Sequence, residues 1–489
     1  MTFDLQLARD LIVTGVGTTR INAALPRFGG YVFFAENGTS PAELRPLTDA
    51  LRAREEEMDA PPPVLAIDQE GGRVARLSDG VEPIPPMMAL GAADSVELAQ
   101  RAGEQIAFDL RRAGCTLNFA PVLDLALDAK NAVIGTRSLG DDPRRVTELA
   151  SAVAAGLRNG GILPCYKHFP GHGCTAVDSH EALPEIMRDE ATLRGADLVP
   201  FSTVAPEAIA IMTGHLRVTA FDAAQPATLS PRIATQLLRD ELGFRGVLLT
   251  DDLEMRALGA VASPQTAVAA LEAGADLLLF GHDLDAATTA ADAIAESVER
   301  GALSLHRLQE AHRRVERLRA HGSAPLDVDA FPPHPMVGRE IARSAVTLIR
   351  GIPHADPLAS IVVAFNRSGN SLCREAPALV ELTSHSDAPD DRVRKMLDDI
   401  EDSQRRPLIL THRAHLYPSQ AHAVAEIISR YPDSLVVSTA EPFDVPLFPQ
   451  ARHLLACYGI DAASIGGLAD VLFGGTMPAG RLPVSLPHD

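Results

Sequence analysis

The stretch Ser230–Asp251, SPRIATQLLRDELGFRGVLLTD, carries the pattern on which the fold turns. Ser230 followed by Pro231 is a helix N-cap with proline at the first helical position, where a backbone N–H is not needed. The segment behind it is rich in Leu and Arg and stops near Gly243. Gly246–Asp251 then forms a short apolar run without alternation, the pattern of a strand covered on both faces, and it ends on a carboxylate. The same helix–glycine–strand unit recurs outward from this point. Residues 95–113 lead through Gly114 to Thr116–Pro121. Pro143 opens a helix that stops at Gly160–Gly161 before Ile162–Phe169. Ser263-Pro264 opens another, which stops at Gly274 before Asp276–Phe280. Leu11–Gly15, Gly30–Phe34, Val64–Asp68 and Ala210–Met212 are runs of the same kind, which makes eight candidate strands before residue 285. Strands alternating with helices predict a parallel sheet, and eight of them in this length predict a (β/α)8 barrel over an open doubly wound sheet.

Composition narrows what such a barrel can do. The chain has 489 residues and a net charge of −20. An acidic surface of that size repels nucleic acid and anionic lipid, so neither is expected as a partner. No apolar run approaches the roughly 20 residues of a membrane-spanning helix. Met1–Arg9 carries Asp4 and no basic n-region, so no secretory signal is read there. The five cysteines are odd in number and widely spaced, which argues against a disulfide framework or structural zinc and fits a cytoplasmic protein. There is no Trp and aromatics make up 4%, so a bound sugar would be held mainly by hydrogen bonds.

Texture changes after residue 320. His321–Pro335, HGSAPLDVDAFPPHP, is proline-rich and aperiodic and reads as a linker. Beyond it Ala345–Ile349, Ser360–Ala364, Pro407–Leu410, Leu435–Ser438 and His453–Ala456 alternate with helical stretches such as Ser419–Ser429. The expected organisation is a catalytic barrel over 1–320, a linker over 321–335 and a smaller α/β domain over 336–489.

Chemistry in a (β/α)8 barrel sits at the carboxyl ends of the strands, and polar residues gather there. The third strand runs into Asp68-Gln69-Glu70-Gly71-Gly72-Arg73, the fourth through Asn118 to Asp124, the sixth into Thr213-Gly214-His215, and the seventh into Thr250-Asp251-Asp252. The densest segment is KHFPGHGCTAVDSH, Lys167–His180. Three readings compete for it. One is a solvated loop. A second is a metal site, opposed by Pro170-Gly171, which break any helix between His168 and His172. The third is an acid/base pair, Asp178 beside His180, in which the carboxylate fixes the imidazole tautomer and raises its affinity for a proton. Asp251 at a strand end suits a carboxylate nucleophile, while Asp252 suits the cap of a following helix. An unpaired Asp68 at the end of a buried strand is costly unless a ligand or cation meets it.

These residues resemble glycoside hydrolase family 3, specifically its bacterial β-N-acetylglucosaminidase branch. The matching segments are Ile67–Leu77 (IDQEGGRVARL), Asn118–Asp124 (NFAPVLD), Ile134–Pro143 (IGTRSLGDDP), Lys167–His180, Met212–His215 (MTGH) and Thr250–Met255 (TDDLEM), with Gly475–Pro487 near the end of the chain. The resemblance implies a (β/α)8 TIM-type barrel followed by an α/β sandwich domain. It places Asp251 at the nucleophile, His180 at the acid/base assisted by Asp178, and Asp68, Arg76, Arg137, Lys167 and His168 where the family holds sugar hydroxyls. The chain departs from the family at Leu139, often Phe, and at Gly214, often Ala. Thr476-Met477-Pro478-Ala479 replaces the usual Asn-Pro-Ser.

The expected activity is a retaining exo-β-N-acetylglucosaminidase acting on cell-wall muropeptides in peptidoglycan turnover, or on chitin-type oligosaccharides. No metal or organic cofactor is expected. The partner is a carbohydrate substrate, and the protein is a monomer or a homodimer. Two other enzyme readings stand beside it. A phosphorylase would use phosphate as acceptor, since an imidazole base does not repel phosphate as a carboxylate would. A metal-dependent amidohydrolase could share the barrel. A decayed sugar-binding module would lack one of Asp251, Asp178 or His180, and all three are present.

Overall fold

The apolar runs of the first 285 residues close into one parallel barrel. Its strands are β1 (Ile12–Gly15), β2 (Gly30–Phe33), β3 (Val64–Ile67), β4 (Leu117–Asn118), β5 (Leu163–Phe169), β6 (Ala210–Thr213), β7 (Val247–Asp252) and β8 (Leu277–Phe280). Each strand pairs with its neighbours in sequence, and β1 pairs with β8 with Val13 opposite Leu279. This computed structural model describes residues 4–17, 25–175, 182–259, 263–322, 332–366, 368–383 and 390–486. All seven residues of β5 are buried, since helices cover the outside of the barrel and side chains fill the inside. That double burial is why the strands read as unbroken apolar runs.

The fourth strand is shorter than its sequence predicts. Pro121 has no N–H to give to a ladder. The regular pairing stops at Asn118, and Val122 rejoins β5 through a single bridge to Lys167. Helices begin where side chains satisfy their free N–H groups. Ser95 accepts from Leu98 at the start of α1 (Val96–Arg112), and Asp142 accepts from Arg144 and Arg145 at the start of α2 (Pro143–Asn159), with Pro143 in first place. These two helices approach closely through glycines: a Cβ on Gly103 would lie 2.1 Å from the Val153 carbonyl oxygen. The helix after Ser230 is α3 (Arg232–Glu241), wound as a π-helix, and the Ser230 hydroxyl accepts from the Ile233 N–H.

The second domain is a six-stranded sheet. Its strands are β9 (Thr347–Arg350), β10 (Ser360–Ala364), β11 (Val380–Thr383), β12 (Arg406–Thr411), β13 (Leu435–Ser438) and β14 (His453–Ala456). Their order is β9-β14-β13-β12-β10-β11, and only β9 runs antiparallel. Separate apolar clusters cover the two faces, one holding Phe365, Val424 and Phe448, the other Leu372, Leu408 and Leu468. Strand β11 has no counterpart in the sequence reading. It is an edge strand of Val-Glu-Leu-Thr, with Val380 44% exposed, so it never presents the apolar run of an inner strand. The helix Leu305–Gly322 enters the segment read as a linker by two residues, and 323–331 of that segment lie outside the described residues. Among the described residues no helix is long and apolar enough to cross a membrane.

Candidate active site

A cavity of about 600 Å³ opens at the carboxyl edge of the barrel. It brings together Asp68, Arg76, Arg137, Lys167, His168 and Asp251. Asp178 and His180 lie outside the described residues.

Cations and carboxylates alternate along one wall. Lys167 projects from β5 and is 2% exposed; its Nζ donates to Asp68 Oδ1 at 2.7 Å and lies 2.6 Å from Glu70 Oε1. The ammonium is the cation that a buried-strand aspartate requires. Burial alone would neutralise Lys167, but the charges of Asp68 and Glu70 outweigh it and raise its pKa. Arg137 grips Glu70 with two hydrogen bonds of 2.8 Å each, from Nε and Nη2. Against the cost of its burial, the Arg137 and Lys167 charges hold the Glu70 carboxyl far below the usual carboxylate range. Arg76 sits further out, 3.4 Å from Asp68 Oδ2, with its guanidinium 5.5 Å from the centre of the Phe34 ring. Phe34 in turn packs on His282 with ring centres 4.4 Å apart.

Beside this wall the His168 Nδ1 lies 2.6 Å from Asp124 Oδ2, and its Nε2 lies 3.4 Å from Arg137 Nη2. Asp124 is 1% exposed and also accepts the backbone N–H groups of His168 and His172. Burial opposes its charge, but His168, His172 and these hydrogen bonds keep its pKa lowered. The partnership orients the ring, so the Nε2 face is presented to the cavity. His172 is a bracing group: its Nδ1 meets the Thr175 hydroxyl at 2.7 Å, and its carbonyl accepts from Asn131. Burial pushes the His172 imidazole down to about 4, which keeps it neutral.

Asp251, the last residue but one of β7, lines the cavity and is partly exposed to it. Burial raises its pKa, but the fields of His168 and His215, the Asp252 N–H at 2.9 Å and Lys167 prevail and lower it. It is therefore a carboxylate at neutral pH. Its neighbour Asp252 is the opposite case. Burial, reinforced by the charges of Glu254 and Asp251, pushes the Asp252 carboxyl up to about 7 against hydrogen bonds that favour its charged form. Asp252 does not cap a helix as the sequence predicts. Its Oδ1 accepts from Glu254 and Gly281, so it ties the end of β7 to the segment after β8. His215 spans Thr228 at 2.7 Å and the Asp252 carbonyl at 2.9 Å, and so steadies the same corner.

Two carboxylates that do much of the organising, Glu70 and Asp124, escape the sequence reading as site residues. Both lie at strand ends that it singles out, and both fall inside the quoted motifs, which is the signal available for them. Among the described residues no three His, Cys, Asp or Glu side chains meet in a way that could hold a metal ion.

A barrel with one ionised aspartate facing a cationic, hydrogen-bonding wall across its carboxyl edge is the framework of a glycosidase. The model of the glycosyl hydrolase family 3 N-terminal domain matches residues 18–318, and the chain belongs to that family. A β-hexosaminidase of Pseudomonas aeruginosa (strain LESB58) is 38% identical over 310 residues, covering 63% of this chain and 88% of that protein. The glycoside hydrolase family 3 β-N-acetylglucosaminidase of Paenibacillus sp. str. FPU-7 superposes with a TM-score of 0.88 at 30% identity, covering 98% of each chain. NagZ from Neisseria gonorrhoeae is 32% identical with a TM-score of 0.53, covering 64% of this chain and 98% of that one.

Proposed function

We propose that this glycoside hydrolase is a retaining exo-β-N-acetylglucosaminidase that works through a glycosyl-aspartate at Asp251. The observation that carries the reading is the Asp251 carboxylate, kept ionised at the end of β7 and facing the Lys167–Asp68 pair across a cavity large enough for a sugar ring. Family membership and relatives named as β-hexosaminidase and β-N-acetylglucosaminidase support the choice of sugar.

In the first half-reaction Asp251 Oδ attacks the anomeric carbon, the C1–O bond to the departing group breaks, and His180 gives that oxygen its proton. In the second, His180 takes a proton from water, whose oxygen attacks C1 and releases Asp251 as carboxylate. Asp178 holds the imidazole tautomer. Asp68, Arg76, Arg137, Lys167 and His168 bind the hydroxyl groups, and bonds that tighten as charge develops at C1 supply rate. Muropeptides and chitin-type oligosaccharides remain the expected substrates, in the cytoplasm, with the protein a monomer or a homodimer; light scattering decides between the last two.

The test is turnover of nitrophenyl β-N-acetylglucosaminide and nitrophenyl β-glucoside by the parent and by Asp251→Ala, in buffers with and without phosphate. The reading expects preference for the first substrate, free sugar as product in both buffers, and a loss in the variant of at least about 10³-fold in rate. A variant as fast as the parent removes Asp251 as nucleophile. Appearance of sugar 1-phosphate makes the protein a phosphorylase.

A further inference from the structure

The second domain reaches back to the loop that carries Arg137. Glu441, just beyond β13, is 3% exposed and accepts the Thr136 backbone N–H at 3.0 Å through Oε1. Arg413, just beyond β12, clamps the same carboxylate with Nε at 2.9 Å and Nη2 at 2.7 Å. Burial opposes the charge, but Arg413 and its hydrogen bonds lower the Glu441 pKa, so a full carboxylate sits on the loop. Arg413 is itself held at φ 55°, a conformation non-glycine residues adopt only where surroundings enforce it. The fit extends to Gly135: a Cβ there would lie 1.9 Å from Glu441 Oε1. A second post stands seven residues earlier along the loop, where His415 Nε2 lies 3.0 Å from the Ala129 carbonyl while its Nδ1 meets Asp444 at 2.7 Å. Both posts belong to the second domain, and the loop between them runs directly into Arg137, whose guanidinium completes the pocket wall against Glu70 and His168.

We propose that Glu441, set by Arg413, is a positioning residue for sugar binding: by holding the Thr136 N–H it fixes Arg137 in the pocket, so the second domain completes the binding site of the barrel. The proposal rests on the reading that Arg137 contacts the sugar. Two-domain chains of this kind then differ from an isolated barrel in how that arginine is held, not in the reacting groups.

The experiment measures kcat and KM on nitrophenyl β-N-acetylglucosaminide for Glu441→Ala, Glu441→Gln, Gly135→Ala, Arg137→Ala and the double variant Arg137→Ala/Glu441→Ala, with thermal melting of each. Glu441→Ala is expected to raise KM about tenfold with kcat within about threefold, the signature of lost binding shared by ground and transition states. Glu441→Gln, which keeps an acceptor for the Thr136 N–H, restores KM to within about threefold of the parent. Gly135→Ala, whose Cβ would displace the Glu441 carboxylate and whose φ of 44° strains the same loop, reproduces the KM rise with residue 441 unaltered. In the Arg137→Ala background the further change Glu441→Ala adds less than about twofold, because residues acting through one another are not additive. An unchanged KM in Glu441→Ala beside an impaired Arg137→Ala overturns this proposal alone. Effects that multiply in the double variant also overturn it. An unchanged KM in Arg137→Ala removes the sugar-contact reading, and the proposal with it.

Discussion

Glu70 shows how much one buried carboxylate can organise. It pairs with Arg137 and Lys167 at once, while Lys167 has a second carboxylate partner in Asp68. Truncation to alanine leaves the mostly buried Arg137 without its bidentate carboxylate and Lys167 with Asp68 alone, so Glu70→Ala is expected to lose about 3–5 kcal/mol of unfolding free energy, read by urea unfolding. A loss under about 1 kcal/mol would mean that water solvates the pair and the network is weaker than its geometry. Asp252 gives a pH-dependent prediction of opposite sense to the usual carboxylate. Its folded pKa of about 7 exceeds its ordinary value of 3.8, so between these limits the folded state keeps a proton that the unfolded state releases. Its contribution to stability is complete below about pH 4 and falls as pH rises to 7, by at most about 1.4 kcal/mol per pH unit. Asp252→Asn keeps an acceptor for Glu254 and Gly281. It should melt above the parent at pH 8, with the difference vanishing towards pH 4; a difference independent of pH would contradict the assignment. At this scale the sequence marks the right neighbourhoods. Asp68, Lys167, His168 and Asp251 stand at the ends of apolar runs, and the family motifs assign them to the site. Glu70 and Asp124 stand two and three residues beyond their apolar runs, and which carboxylate there turns inward depends on local backbone path, which no spacing rule encodes.

Among elements, strands buried on both faces were the most legible. Ser360–Ala364, Leu435–Ser438 and His453–Ala456 have the predicted bounds, since an unbroken apolar run ends where burial ends. Legibility fails where another force sets the element. Pro121 cuts β4 short, β11 is an edge, and the π winding of α3 leaves no mark in its composition. The contact of α1 with α2 depends on an absent side chain. Gly103→Val places atoms where the Val153 carbonyl stands, and separating the helices should cost about 1–3 kcal/mol in urea unfolding with kcat unchanged, because neither helix reaches the cavity. Unchanged stability would show that the two helices are free to move apart.

For the whole molecule, the net charge of −20 and the cationic wall of the pocket are complementary rather than opposed. Lys167 and Arg137 are paired with Asp68 and Glu70, so the wall carries little unbalanced positive charge to attract polyanions. The second domain, whose role composition alone leaves open, contacts the loop before Arg137 through Glu441 and His415, while the barrel carries Asp251, the proposed nucleophile. Covalent attack by Asp251 is the step on which the proposed activity depends. Its most direct test is to trap the intermediate with a fluorinated N-acetylglucosaminide bearing a fast leaving group, and to map the labelled peptide by mass spectrometry. The expected result is one sugar per chain, attached at Asp251 and absent from Asp251→Ala. A label on any other side chain, or turnover with no trapped sugar, would contradict it.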